Sequence, residues 1–220
     1  MNDRQQDRFF AGAGIASVVL TLAGFGIGSI GQSRTLTISS TPAQVAHALA
    51  EPAGSATWVG AYIELLSFGC FLAFAIWACA KLGGGVLGQI ARAAATAYTT
   101  LSIASLGLMD AIAYRSGKGI GAQLGSTLVT VNEALYVCTW FLAAFFLLAA
   151  GPLALAAGRR ALGRSAIAIA AIQLIATAAS VDNLGQMTFF LWLIWIVYAS
   201  FALARGRHAH AARTMVPQST

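Results

Sequence analysis

Six apolar blocks run along the chain, each about as long as a membrane-crossing helix and separated from the next by a short polar segment. They lie at about 9–31, 58–80, 93–114, 126–150, 165–181 and 187–204. A crossing helix needs about 20 consecutive apolar residues, whereas a helix of a soluble core shows only one apolar face. The pattern therefore predicts an all-α polytopic membrane protein, with a single six-helix transmembrane domain over 1–204 and a cytoplasmic tail over 205–220.

The first connection, residues 32–57, is polar enough for a loop but contains a helix-start signal. Thr41, Pro42 and Gln44 occupy the N-cap, N1 and N3 positions of a capping box. This spacing predicts a short interfacial helix over about 42–50 in the first outer loop, with Val45 and Leu49 toward lipid or the bundle. Between the fifth and sixth blocks, we expect residues 182–186 to form a tight turn.

Charged residues make up only 9% of the chain, against about 25% in soluble domains. The basic residues lie mainly between the blocks, and their excess marks the cytoplasmic side of a membrane protein. With both termini inside, ten of them fall on the cytoplasmic side and three, Arg34, Arg115 and Lys118, fall outside. The distribution predicts an N-in/C-in topology in a bacterial cytoplasmic membrane. The net charge of +6 has no accompanying nucleic-acid motif, so we expect no nucleic-acid partner.

Four of the seven acidic residues lie in or beside the apolar blocks, all toward the outer side: Glu64, Asp110, Glu133 and Asp182. Charged groups in hydrocarbon are costly and usually mark a site or a pathway. Aromatic and polar neighbours occur near them at helical spacing. We expect Glu64, Asp110 and Glu133 to be the catalytic groups of an outer-leaflet pocket. The predicted substrate-binding residues of that pocket are Tyr62, Tyr114, Asn132, Tyr136, Trp140 and Asp182.

Several kinds of chemistry lack the residues that they need. His47, His208 and His210 all lie outside the apolar blocks, so neither a haem nor a buried zinc site has histidine ligands. The three cysteines form no CxxC pair and are typical of small buried side chains. We therefore expect no metal and no cofactor.

Three functions remain open at this point. The first is an intramembrane acid–base enzyme on a hydrophobic prenyl or terpenoid lipid, with a protonated Glu64 as proton donor and Asp110 or Glu133 as base. The second is a proton- or cation-linked small transporter, which would function as a homodimer. The third is a scaffold subunit without catalytic activity, in which the membrane acids only hold helices together. Membrane lipids and a hydrophobic small molecule are the expected partners.

Four short stretches resemble a broad group of uncharacterised small six-helix bacterial membrane proteins. They are Ser40-Thr41-Pro42-Ala43-Gln44-Val45, Val59-Gly60-Ala61-Tyr62, Asn132-Glu133-Ala134 and residues 158–163. The resemblance covers most of the chain and implies the six-helix plan, but it brings no activity with it. In outline only, a small chain with membrane-embedded acids is also similar to the membrane-bound terpene cyclases.

Overall fold

The computed structural model describes residues 2–30, 36, 40–179 and 182–205, without the side chains of 182–186. Within this part of the chain every regular element is a helix: α1 Asp3–Gly28, α2 Pro42–Ala48, α3 Ser55–Leu82, α4 Gly85–Arg115, α5 Ala122–Ala156, α6 Arg160–Ala178 and α7 Asp182–Arg205. Five helices of this described part are long and apolar enough to cross a membrane: α1, α3, α5, α6 and residues 187–205 of α7. The chain is therefore a helical, multi-pass membrane-type protein.

Helix α4 is long enough to cross, at 31 residues, but it is not among these five apolar helices. Its central part carries several hydroxyl side chains, including Thr99, Ser102 and Ser105, and these lower its hydropathy. All three are buried between helices rather than turned outward. The composition of α4 thus reflects an inward-facing polar stripe.

The helices differ from the predicted apolar blocks mainly at their ends. Helix α5 runs for 35 residues and continues through Pro152 to Ala156, past the predicted limit at 150. Helix α7 begins at Asp182, so the tight turn predicted over 182–186 is wrong. Acidic residues are favoured in the first turn of a helix, where the backbone N–H groups are unpaired. Hydropathy detects the apolar part of a helix and not these polar ends.

The six long helices close a ring. Helix α1 packs on α3 and α7, and the ring continues from α3 to α4, α5, α6 and back to α7. Neighbours α1 and α3 run antiparallel, because Gly14 lies against Phe74 while Gly24 lies against Gly60. Helix α5 is therefore on the far side of the ring from α1.

Aromatic side chains fill part of the interior of this ring. The Phe71 ring has centroid distances of 5.1 Å to Tyr98, 5.8 Å to Phe146 and 5.2 Å to Trp192. The Tyr98 and Trp192 ring centroids are themselves 5.0 Å apart, with 64° between the ring planes. Edge-to-face contacts of this kind add to the stabilisation that burial provides. This aromatic core joins four helices across the middle of the ring.

The predicted short helix in the first connection is confirmed as α2. Gln44 donates its backbone N–H to the Thr41 hydroxyl at 3.3 Å, and the Gln44 side chain accepts from the Thr41 N–H at 2.8 Å. Val45 is fully buried and clusters with Leu49 and with Ile112 and Val129 of α4 and α5. Of the two orientations left open for Val45, the structure has the one toward the bundle.

At the opposite end of the bundle, α1 and α3 are joined by a buried ion pair. Lys81 Nζ lies 2.5 Å from Asp7 Oδ1, and Trp77 donates its indole N–H to the same oxygen at 3.2 Å. Asp7 is buried and Lys81 is partly exposed. The start of α1 and the end of α3 are thus fixed to each other.

Candidate functional site

A cavity of about 330 Å³ lies within the helix ring, between the aromatic core and the α2 cluster. It is lined by α1, α3, α4, α5 and α7, and α6 supplies none of its described lining residues. Its polar lining residues are Thr21, Glu64, Ser67, Tyr98, Ser102, Ser105, Asn132, Glu133, Tyr136 and Thr139. Its apolar lining residues are Phe25, Phe68, Leu106, Met109 and Phe189.

Glu64 is the carboxyl group that α3 contributes. The side chain is half-buried, and its backbone carbonyl accepts a hydrogen bond from Ser67 at 2.7 Å. Gly24 of α1 faces it so closely that a Cβ atom at Gly24 would lie 2.5 Å from Glu64 Cγ. Among the described residues, none donates a hydrogen bond to the Glu64 carboxyl group or forms an ion pair with it. The absence of a side chain at Gly24 is what leaves room for Glu64.

Helix α5 forms a wall of the cavity with polar side chains only. Asn132, Glu133, Tyr136 and Thr139 follow one another at spacings that place them on one side of the helix. Ser105 of α4 donates its hydroxyl to Asn132 Oδ1 at 2.7 Å, which fixes the amide and joins the two helices. Thr139 donates its hydroxyl to the backbone carbonyl oxygen of Tyr136, also at 2.7 Å.

Residues at the two ends of the cavity also belong to packed parts of the fold. Tyr98, only 8% exposed, belongs both to the aromatic core and to the lining and so forms the floor. Met109 lines the cavity and also packs against the cluster around Val45, so that cluster forms the roof. The roof is further held by Gly117, whose N–H donates to the Leu49 carbonyl at 2.9 Å.

The side of the cavity across from α5 is mainly apolar. Phe25 of α1 and Phe189 of α7 meet there edge-to-face, with ring centroids 5.9 Å apart. Phe25 lines the cavity and yet is 46% exposed. Phe25 is thus an incompletely buried part of the cavity wall.

Of the residues predicted for the site, the structure brings together Glu64, Glu133, Asn132 and Tyr136. Trp140 lies one turn beyond Tyr136, with the two ring centroids 5.3 Å apart, but it is not part of the lining. The Asp182 side chain is outside the described part of the structure. The polar stripe of α5 was therefore recognisable from the sequence.

Asp110, Tyr62 and Tyr114 do not line the cavity. Asp110 is half-buried and within electrostatic range of Glu64. Tyr62 is 64% exposed, because residues two apart in a helix point to different sides and Glu64 takes the inner one. Tyr114 is 61% exposed, with the Lys118 ammonium 3.5 Å from its ring centroid. These three residues surround the site or lie outside it.

The contribution of α4 residues to the lining of the cavity was not predicted from the sequence. Ser102, Ser105, Leu106 and Met109 line the cavity at the i, i+3, i+4, i+7 spacing of one helical face, and Tyr98 continues it by one turn. Asp110 is the next residue after Met109 and so points about 100° away from that face. The repeat of hydroxyl residues at helical spacing was the signal that could have identified this face.

The described residues contain no group of three or more His, Cys, Asp and Glu side chains placed to hold a metal ion. Cys79 is buried, Cys70 half-buried and Cys138 exposed, and all three are free thiols. The chemistry that the cavity offers is that of carboxyl, amide, hydroxyl and aromatic groups.

No protein-family model matches the chain, and no curated protein or solved structure is significantly similar to it. The fold itself, with five long apolar helices among the described residues, defines the class: a multi-pass helical membrane-type protein.

Proposed function

We propose that all six long helices cross the membrane, with both termini in the cytoplasm of a bacterial cell. At about 1.5 Å per residue, α4 is about 46 Å long, more than the roughly 30 Å hydrocarbon layer, and it has ring neighbours on both sides. The Asp7–Lys81 pair holds the start of α1 and the end of α3 on one side. Most basic residues outside the helix centres lie on that same side, as the positive-inside rule requires.

We infer that the cavity is the site of an acid–base enzyme acting on a hydrophobic, prenyl-type molecule. The observation that supports this proposal is that carboxyl groups from two different helices, Glu64 and Glu133, line one cavity together with two tyrosines. Separate carboxyl groups in one apolar site are suited to act as acid and base. Asp110, predicted as a possible base, does not line the cavity. We therefore assign the base to Glu133.

The proposed reaction moves a proton and rearranges a double bond. Glu64 donates its proton to one carbon of an alkene, and the π electrons form the new C–H bond and leave a carbocation. Either directly or after ring closure, a C–H bond next to the cationic carbon breaks, its electrons form the new double bond, and the Glu133 carboxylate accepts the proton. Return of a proton from Glu133 to Glu64 restores the enzyme for the next turnover. The product is an isomer of the substrate. The faces of Tyr98 and Tyr136 stabilise the intermediate positive charge.

A proton- or cation-linked carrier is the second candidate, because it would use the same acidic groups. A carrier must open its site to each side of the membrane in turn. The aromatic core under Tyr98 blocks one side through three ring contacts of Phe71. Since such a packed layer would have to separate in every transport cycle, the geometry favours the enzyme.

The test compares apolar extracts of cells that produce the wild type, Glu64→Gln and Glu51→Gln, each fed a panel of prenyl alcohols and hydrocarbons. Glu51 is an exposed acid in the first connection and serves as the matched control. We expect an isomerised product with the wild type and Glu51→Gln and none with Glu64→Gln, at equal protein levels by immunoblot. Equal product from Glu64→Gln would refute the role of Glu64, and solute-driven proton uptake in vesicles would support the carrier.

A further inference from the structure

We propose that the cavity selects molecules that carry a positive charge, so that its ligand is a lipophilic cation or becomes one during the reaction. This inference rests on the proposed function and specifies the ligand class of the same site. It follows from the charge, the aromatic lining and the volume of the cavity.

The charge of the cavity is one-sided. Glu64 and Glu133 both line it, Glu64 without a described hydrogen-bond donor or ion-pair partner, and Asp110 adds a third carboxyl group within electrostatic range of Glu64. None of the described lining residues is a lysine, arginine or histidine. Charges interact strongly where the surroundings are of low dielectric constant. A phosphate or carboxylate head group would thus be repelled. A cation would be attracted by the Glu133 carboxylate and, once Glu64 has given up its proton, by Glu64 as well.

The aromatic groups of the lining also favour a cation over an anion. Tyr98 and Tyr136 lie on the side of α4 and α5, and Phe25, Phe68 and Phe189 lie on the side of α1, α3 and α7. Aromatic faces attract cations that approach within about 6 Å, most strongly where water is absent. A cation placed next to Glu64 would therefore have aromatic rings on both sides of the cavity.

The volume limits the size of the ligand. A water molecule takes up about 30 Å³ of liquid, so 330 Å³ corresponds to roughly eleven waters. An organic ligand of about ten to twenty non-hydrogen atoms fills such a space. A phospholipid is too large to enter whole, whereas a short alkyl chain with a quaternary ammonium group fits.

The test measures binding of three probes with the same eight-carbon chain: octyltrimethylammonium, octanol and octanoate. The purified full chain is reconstituted in lipid nanodiscs and titrated calorimetrically, and empty nanodiscs give the partition blank. We expect the ammonium probe to bind at least about tenfold more tightly than octanol, which is about 1.4 kcal/mol, and octanoate to bind weakest. Glu64→Gln should reduce the preference to below about threefold, whereas Glu51→Gln should keep it.

Equal affinities for the ammonium and alcohol probes on the wild type would overturn the inference, as would an unchanged preference in Glu64→Gln. Thermal unfolding shows whether Glu64→Gln is folded. If it is not, Glu64→Asp, which keeps the charge, must retain the ammonium preference. Binding and turnover also separate the two proposals. Ammonium selectivity without any isomerised product supports this inference and refutes the proposed reaction. An isomerised product without ammonium selectivity supports the reaction and refutes this inference.

Discussion

Gly60 of α3 allows a backbone-to-backbone approach of α1 and α3, and its replacement by alanine gives a sharp test of the fold. A Cβ atom there would lie 2.6 Å from both Cα and N of Gly28 and 2.8 Å from the Gly24 carbonyl oxygen. All three atoms are backbone, so no side chain can rotate away. Ordinary contact begins at about 3.4 Å, and α1 would have to move by about 0.8 Å.

The expected cost of Gly60→Ala follows from two opposing effects. Overpacking a tight contact costs about 1–3 kcal/mol. Alanine recovers up to about 1 kcal/mol by its higher helix propensity. We expect a net loss of about 1–2 kcal/mol in the free energy of unfolding, since the two helices are also held by the Asp7–Lys81 pair and cannot separate freely.

The assay is reversible unfolding in mixed micelles with increasing SDS, followed by far-UV circular dichroism. Gly69→Ala is the matched control, because it lies in the same helix with no atom within 4 Å of the added Cβ. We expect Gly69→Ala to be neutral or slightly stabilising. If Gly60→Ala and Gly69→Ala agree to within about 0.5 kcal/mol, the α1–α3 contact does not have the described geometry.

Three further substitutions test other contacts. Lys81→Met should lower the free energy of unfolding by about 1–3 kcal/mol because it leaves the buried Asp7 carboxylate without its ammonium partner, and in the same SDS titration the double variant with Asp7→Asn should recover part of the loss. Val45→Ala should speed amide hydrogen exchange in α2 at least tenfold with little effect on global unfolding, and unchanged exchange would contradict its role in the roof. Ser105→Ala should cost about 0.5–1 kcal/mol, and a double-mutant cycle with Asn132→Ala should give a coupling energy of that size rather than zero.

Local signals in the sequence were sufficient to predict the long helices and α2, because the formation of a helix depends mainly on residues that are close together in the chain. The Thr41–Gln44 capping box determines where α2 begins regardless of what packs on it. The ends of the long helices were less predictable. Helix α5 continues through Pro152, and α7 begins with polar residues, because backbone hydrogen bonding carries a helix beyond its apolar part.

The site was predictable only where one helix carries several polar residues on one face. Asn132, Glu133 and Tyr136 of α5 meet that condition, and Glu64 was identified as an isolated acid. Tyr62, also predicted for the site, does not line the cavity, since its distance of two residues from Glu64 takes it to another face of α3. Phe25 and Phe189 come from helices at the two ends of the chain and meet only because the ring closes.

The position of the cavity follows from a change of side-chain size along α4. At Tyr98 this helix presents a large ring that completes the aromatic core. One and two turns further on, the same face presents Ser102 and Ser105, which are buried but too small to reach across the ring. Across that gap stand Glu64 on one side and the polar face of α5 on the other. The serines that lower the hydropathy of α4 are therefore the residues that leave space for a ligand, so the long helix that is not apolar enough to count among the five candidate spans is the one that makes a site possible.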